Sequence, residues 1–174
     1  MAESISKQAD HVPPELIEEM DKAISHYPVS KRSATLPLLH LWQNHFGYID
    51  ESAMVWIAEK LELEPIHILE VVTFYPWFRR HAPGEKAVVR VCRTLSCALA
   101  GSYEVRDEFL RKTGLDPKKI PPGGHFVNSP DGKFSIEFVE CLACCGSAPV
   151  CLINDHLHEN VKKEEVPSIL EQYS

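Results

Sequence analysis

The spacing of apolar residues changes once along the chain. Through the first half they recur at intervals of three and four: Leu16, Met20, Ala23 and Ile24; then Leu39, Trp42 and Phe46; then Met54, Ile57, Ala58 and Leu61; then Ile68, Val71, Val72 and Tyr75. Such spacing gathers each set on one face of a helix. The first helix opens at Pro13-Pro14 and is stopped by Pro28. The second runs from about Ser33 to His45, with Pro37 in its first turn and Gly47 just past its end. Asp50 is placed to cap the third, which ends before Pro65, and Pro76 closes the fourth. These elements predict an N-terminal helical bundle over residues 13–80. Residues 1–12 are polar and aperiodic and predict a flexible tail. The aromatic run Phe74-Tyr75-Pro76-Trp77-Phe78 reads as core packing, with a partner-facing surface as the alternative.

Past a linker, Arg79-Arg80-His81-Ala82-Pro83-Gly84, strands take over, and residues 86–174 predict a second domain. Ala87-Val88-Val89-Arg90-Val91 is a β-branched run. A helix follows from about Gly101 to Thr113, with Val105 and Phe109 facing inward. After Pro-Pro-Gly-Gly (121–124) come a short strand at 125–128 and a turn over 128–132. Phe134 to Val139 alternates as a half-buried strand does. Val150 to Ile153 reads as another strand, with a turn at Asn154-Asp155 and a return over 157–161. Val166, Ile169, Leu170 and Tyr173 mark a last helix. The order predicts an α+β chain: a helical bundle followed by a small α/β layer of the thioredoxin type.

Charge and composition narrow the function classes. A formal charge of −7 on 174 residues argues against a nucleic-acid phosphate face. The first residues lack the basic flank and apolar run of a signal peptide. The longest near-apolar run, Cys141 to Ile153, is shorter than the roughly 20 residues that span a bilayer. The expected setting is therefore cytoplasmic, where thiols stay reduced and clustered cysteines point to metal or redox work.

The cysteines are not spread evenly. Cys141, Cys144 and Cys145 fall within five residues, directly after the 134–139 strand, and Cys92 and Cys97 directly follow the 87–91 strand. Two strands that each end in a cysteine-bearing loop can bring four thiols to one sheet edge. Soft thiolate donors suit an iron–sulfur cluster or zinc. Cys141-Leu142-Ala143-Cys144 is also C-x-x-C, the spacing of zinc ribbons and dithiol oxidoreductases, so those readings stay open. Four thiolates, two sulfides and two ferric ions would carry a charge of about −2, and about −3 after reduction. The free N–H groups of a helix starting near Gly101-Ser102 favour such an anion. Small residues at Ala143, Gly146, Ser147 and Ala148 let backbone N–H groups approach sulfur, and Leu95 and Leu142 are placed to shield it from water. Arg93 can moderate the charge. Cys151, within a strand, reads as a small apolar core residue. His156-x-His158 reads as hairpin surface rather than a metal site. No G-x-G-x-x-G follows a strand, so nothing here marks a nicotinamide or flavin site.

Phe74-Tyr75, Cys92-x4-Cys97 followed by Gly101-Ser102, Glu140-Cys141-Leu142 and Cys145-x-x-Ala148-Pro149-Val150 occur in an order that resembles the NuoE family, over residues 14 to 173. These are the thioredoxin-like ferredoxin subunits of respiratory complex I (NADH-quinone oxidoreductase), with relatives in NAD-linked hydrogenases and formate dehydrogenases. The resemblance implies one 2Fe-2S cluster ligated by Cys92, Cys97, Cys141 and Cys145. It also implies an electron-transfer role beside a flavoprotein subunit of the NuoF type that binds FMN and NADH, with the assembly peripheral to the inner membrane. The chain departs from the family in having Ala143 where glycine is usual and an extra thiol, Cys144, which stands as the alternative fourth ligand. A zinc-stabilised assembly adaptor and a Cys141/Cys144 dithiol reductase are the competing functions.

Overall fold

The computed structural model describes residues 8–120 and 126–174. The chain divides into two compact units, Met1–Ala82 and Pro83–Ser174.

The first unit is built from α1 (Pro14–Ser25), α2 (Thr35–Phe46), α3 (Glu51–Leu61) and α4 (Pro65–Phe74). Its core is the set of periodic residues, with Met20, Leu38, Leu39, Trp42, Ile57 and Ile68 fully buried. Local signals set the ends. Gly47 leaves α2 in the left-handed region (φ 82°), where a side chain would be strained. Asp50 Oδ1 accepts the Ala53 N–H at 2.8 Å, satisfying one of the free donors of α3.

Two expectations fail in this unit. The supposed tail is not loose over its last residues: Gln8–His11 form a 3-10 turn. There Gln8 Oε1 accepts from Trp42 Nε1 at 2.9 Å, and Gln8 Nε2 donates to the Tyr48 carbonyl at 3.2 Å. A buried indole N–H needs a partner, and Gln8 supplies it. Residues 1–7 lie outside the described residues. The aromatic run is core only at Phe78, while Phe74 is 74% exposed and Tyr75 and Trp77 are each 41% exposed. The buried positions of α4 are Ile68 and Val72. Phe74 lies about 200° further round the helix than Val72, on the outer side.

The second unit holds a five-stranded sheet of order β2-β3-β1-β4-β5. The strands are β1 (Ala87–Cys92), β2 (Phe126–Asn128), β3 (Phe134–Val139), β4 (Cys151–Ile153) and β5 (His156–His158). β1 and β3 are parallel, with Val89 opposite Ile136, and the other pairings are antiparallel. Between β1 and β2 come α5 (Leu95–Leu99) and α6 (Ser102–Lys112), and α7 (Val166–Glu171) follows β5. The Pro-Pro-Gly-Gly break expected at 121–124 lies outside the described residues. Val89, Val91, Ile136 and Phe138 pack with Val105, Phe109 and Leu110 of α6 and Ile169 and Leu170 of α7.

β3 does not alternate between core and solvent as its sequence suggests, since Ser135 and Glu137 are buried too. It lies inside the sheet, and its polar side chains are satisfied there. Ser135 Oγ accepts the Gly84 N–H and donates to Asn128 Oδ1, both at 2.6 Å, and Glu137 Oε1 takes Arg90 Nε at 2.7 Å. Among the described residues, no helix is long and apolar enough to cross a membrane.

Candidate metal centre

Because β1 and β3 are parallel neighbours, their C-terminal ends meet at one sheet edge, with Cys92 opposite Val139. The two cysteine loops therefore start side by side. Backbone bonds continue the ladder into them: Arg93 N donates to Val139 O at 3.0 Å and Cys92 N to Val150 O at 3.2 Å. The Arg93 guanidinium also pairs with the Glu140 carboxylate across the gap.

Cys97 sits in α5, a short helix where the sequence suggested only a loop. That turn folds Cys97 back onto Cys92, and both are buried with Val150 in a small cluster against Leu142, Cys144 and Ala148. Burial pushes the Cys92 thiol up, but hydrogen bonds from the Thr94 side chain and backbone, the Leu142 backbone and Cys97 outweigh it, so its pKa falls below the usual thiol value. Burial pushes Cys97 up, the Val150 backbone opposes this, and the nearby Cys92 and Cys145 thiols push it further up. Cys92 is thus held low in part by Cys97, and Cys97 is held high by Cys92 and Cys145, as neighbouring thiols are. Cys141 and Cys145 are exposed. Cys141 Sγ accepts the Ala143 N–H at 3.3 Å, an approach made with Ala143 in the left-handed region at φ 59°.

The donor set fits a sulfur-bridged cluster. A buried pair, Cys92 and Cys97, and an exposed pair, Cys141 and Cys145, flank one edge, and Leu142, Ala143 and Val150 offer N–H groups to three of the sulfurs. Among the described residues, no three His, Cys, Asp or Glu side chains are grouped tightly enough to hold a single metal ion. At the same edge the Ser102 hydroxyl, on the first residue of α6, is buried without a partner.

The structure thus brings Cys92 and Cys97 together, with Cys145 near Cys97, and holds Cys141 on the exposed loop. Leu142 shields the buried pair, but Leu95 is 74% exposed and does not. Cys151 is fully buried in the main core, and burial pushes its thiol up to about 12, which removes it from thiolate chemistry. His158 is hydrogen-bonded to Tyr173 at 2.9 Å, so it is a packed residue rather than free hairpin surface. Sequence reasoning missed Thr94, whose hydroxyl lies 3.2 Å from Cys92 Sγ. It also missed Ser102 as a side chain of interest, although three-residue spacing from Val105 already placed it on the inner face.

The chain is similar to known proteins in sequence and in fold. The chain is 33% identical over 162 residues to an NADH-quinone oxidoreductase subunit of Aquifex aeolicus, a match covering 93% of this chain and 95% of that protein. It is 35% identical over 152 residues to the corresponding NADH-quinone oxidoreductase subunit of Rickettsia typhi, covering 86% and 84%. A crystal structure of an NAD+-reducing [NiFe]-hydrogenase in the H2-reduced state shares the fold, with TM-score 0.61 and 16% identity over 78% of this chain. This chain spans only 22% of that hydrogenase chain. Residues 20–174 match the sequence model of thioredoxin-like [2Fe-2S] ferredoxins, and with most of its length so matched the chain belongs to that family.

Proposed function

We propose that Cys92, Cys97, Cys141 and Cys145 ligate one [2Fe-2S] cluster and that the chain serves as an electron-transfer subunit of an NADH-quinone oxidoreductase. The observation that carries this is the parallel pairing of β1 with β3, which delivers both cysteine loops to one edge. Bound there, a [2Fe-2S] cluster supplies reversible one-electron chemistry at a potential on the order of −400 mV, by analogy with plant-type ferredoxins.

The chain's own residues do the rest. Hydrogen bonds from Thr94, Leu142 and Cys97 hold the Cys92 pKa below the usual thiol value, which favours its binding as a thiolate. Leu142 and Val150 keep water from the buried side. The exposed Cys141 and Cys145 mark the side open to a redox partner. The sequence carries no dinucleotide-binding motif, so hydride chemistry is assigned to a flavoprotein subunit of the NuoF type. On this reading the chain is cytoplasmic and peripheral to the inner membrane through its complex.

Iron and sulfide assays on purified protein test the reading, with about two of each per chain expected. Serine at Cys92, Cys97, Cys141 or Cys145 should lower that content, and serine at Cys144 should not. Colourless protein holding about one zinc would turn the reading to an assembly adaptor.

A further inference from the structure

Among the described residues of the second unit, Ser102 Oγ is the one buried side-chain oxygen or nitrogen without a hydrogen-bond partner. Its residue is fully buried. A buried hydroxyl that bonds to nothing is a rare and costly arrangement, and it calls for a partner that arrives later.

The fold says where that partner sits. Ser102 opens α6, three residues before Val105 and seven before Phe109, and both of those are buried in the core under the sheet. Spacing of three and seven puts Ser102 on the same face. The start of α6 lies beside the C-terminal ends of the central strands: the Tyr103 ring is 4.8 Å from that of Phe138, and Arg106 stands 4.5 Å over the same ring. Phe138 is the next-to-last residue of β3, and Cys92 ends β1. The helix therefore begins at the sheet edge that carries both cysteine loops, with its hydroxyl facing in. α6 has 11 residues, so its first turn also presents unpaired N–H groups and the positive end of its dipole there.

We propose that Ser102 donates its hydroxyl proton to a sulfur of the cluster held by Cys92 and Cys97, and that it is a positioning residue that raises the reduction potential. The inference rests on the cluster reading given above. Adding an electron makes the sulfurs more negative, so a donor aimed at them stabilises the reduced form more than the oxidised one. Removing the donor must lower the midpoint potential. Thr94 already contacts one ligand sulfur, its hydroxyl lying 3.2 Å from Cys92 Sγ, so Ser102 is a second donor and not a replacement for it.

The test is an EPR-monitored redox titration of the full chain, cluster-loaded, comparing wild type with Ser102→Ala and Ser102→Thr. Ser102→Ala should keep two irons and two sulfides and show a lower midpoint, by up to a tenfold change in the reduction constant, about 59 mV for one electron. An exchangeable-proton coupling in the EPR spectrum of the reduced wild type should vanish with it. Ser102→Thr, which keeps the hydroxyl, should restore both. In the cluster-free protein Ser102→Ala should unfold at the same denaturant concentration as wild type or a higher one, because it removes an unsatisfied group. A loaded Ser102→Ala protein with an unmoved midpoint overturns this inference alone. A wild type that takes up no iron overturns the cluster reading and this inference with it.

Discussion

Arg93 and Glu140 are paired across the two cysteine loops, the first directly following Cys92 and the second directly preceding Cys141. The hydrogen bond to Glu140 is the main reason the Arg93 guanidinium is held above its ordinary pKa. The pair thus sets a local charge balance beside a centre that gains negative charge on reduction. Glu140→Gln removes one negative charge while keeping an acceptor for Arg93. The midpoint potential should rise, because the reduced centre then meets less repulsion. The Glu140 side chain is 59% exposed, so solvent and salt screen it. The shift should therefore be small and should shrink further when a redox titration is repeated at high ionic strength.

Ala143 is held at φ 59° between two cysteines of the second loop. The left-handed region costs a residue with a Cβ roughly 1 kcal/mol relative to glycine. Ala143→Gly should leave the Ala143 N–H bond to Cys141 in place and raise the unfolding free energy by about 0.5–1 kcal/mol, read as a higher denaturant midpoint. A lower midpoint would show that the loop gains more from the lost rotational freedom of alanine in the unfolded chain than it loses to strain.

Much of this was legible in the sequence, and the reason is physical. Helix faces, caps and stops are local, so Asp50, Gly47 and the periodic residues of the bundle are written within one or two turns of chain. The two cysteine loops were readable because each directly follows a strand pattern. What pairs with what is not local. Nothing near Arg90 announces that its carboxylate partner is Glu137, and nothing near Gln8 announces Trp42. The exposure of Phe74, Tyr75 and Trp77 was missed for the same reason: aromatic character argues for burial, while helix phase and the end of α4 decide otherwise. The unpaired state of Ser102 became visible only with the packing around it.

Arg90 and Glu137 stand opposite one another on β1 and β3, with side chains 4% and 7% exposed and 2.7 Å apart. A pair this deep gains little over an apolar pair, because both charges lose their water. Losing one partner is a different matter. Glu137→Ala should cost about 3–5 kcal/mol, since it leaves the guanidinium buried without its carboxylate. The double change Arg90→Met with Glu137→Leu should recover most of that loss. Denaturant unfolding of the three proteins decides it, and equal loss in the single and double variants would contradict the argument. Since the pair lies in the two strands that carry the cysteine loops, the single variant should also lose iron faster to a chelator.

His158 on the edge strand β5 makes its hydrogen bond to Tyr173 near the C-terminus of the chain, and the two rings are 6.1 Å apart. Burial lowers the His158 pKa below its usual value, and the neighbouring His156 adds to this by charge repulsion. The folded protein therefore resists protonation that the unfolded chain accepts. Between the folded and unfolded pKa values the unfolded state binds more protons, so stability rises with pH there. The contribution is fully present above the unfolded value of about 6.5 and is lost as the pH falls from there through the folded value. Unfolding free energy measured across that interval should decline toward acid, and His158→Gln should flatten the slope while lowering stability at pH 8 through the altered contact with Tyr173. An unchanged slope in that variant would assign the acid sensitivity to groups other than His158.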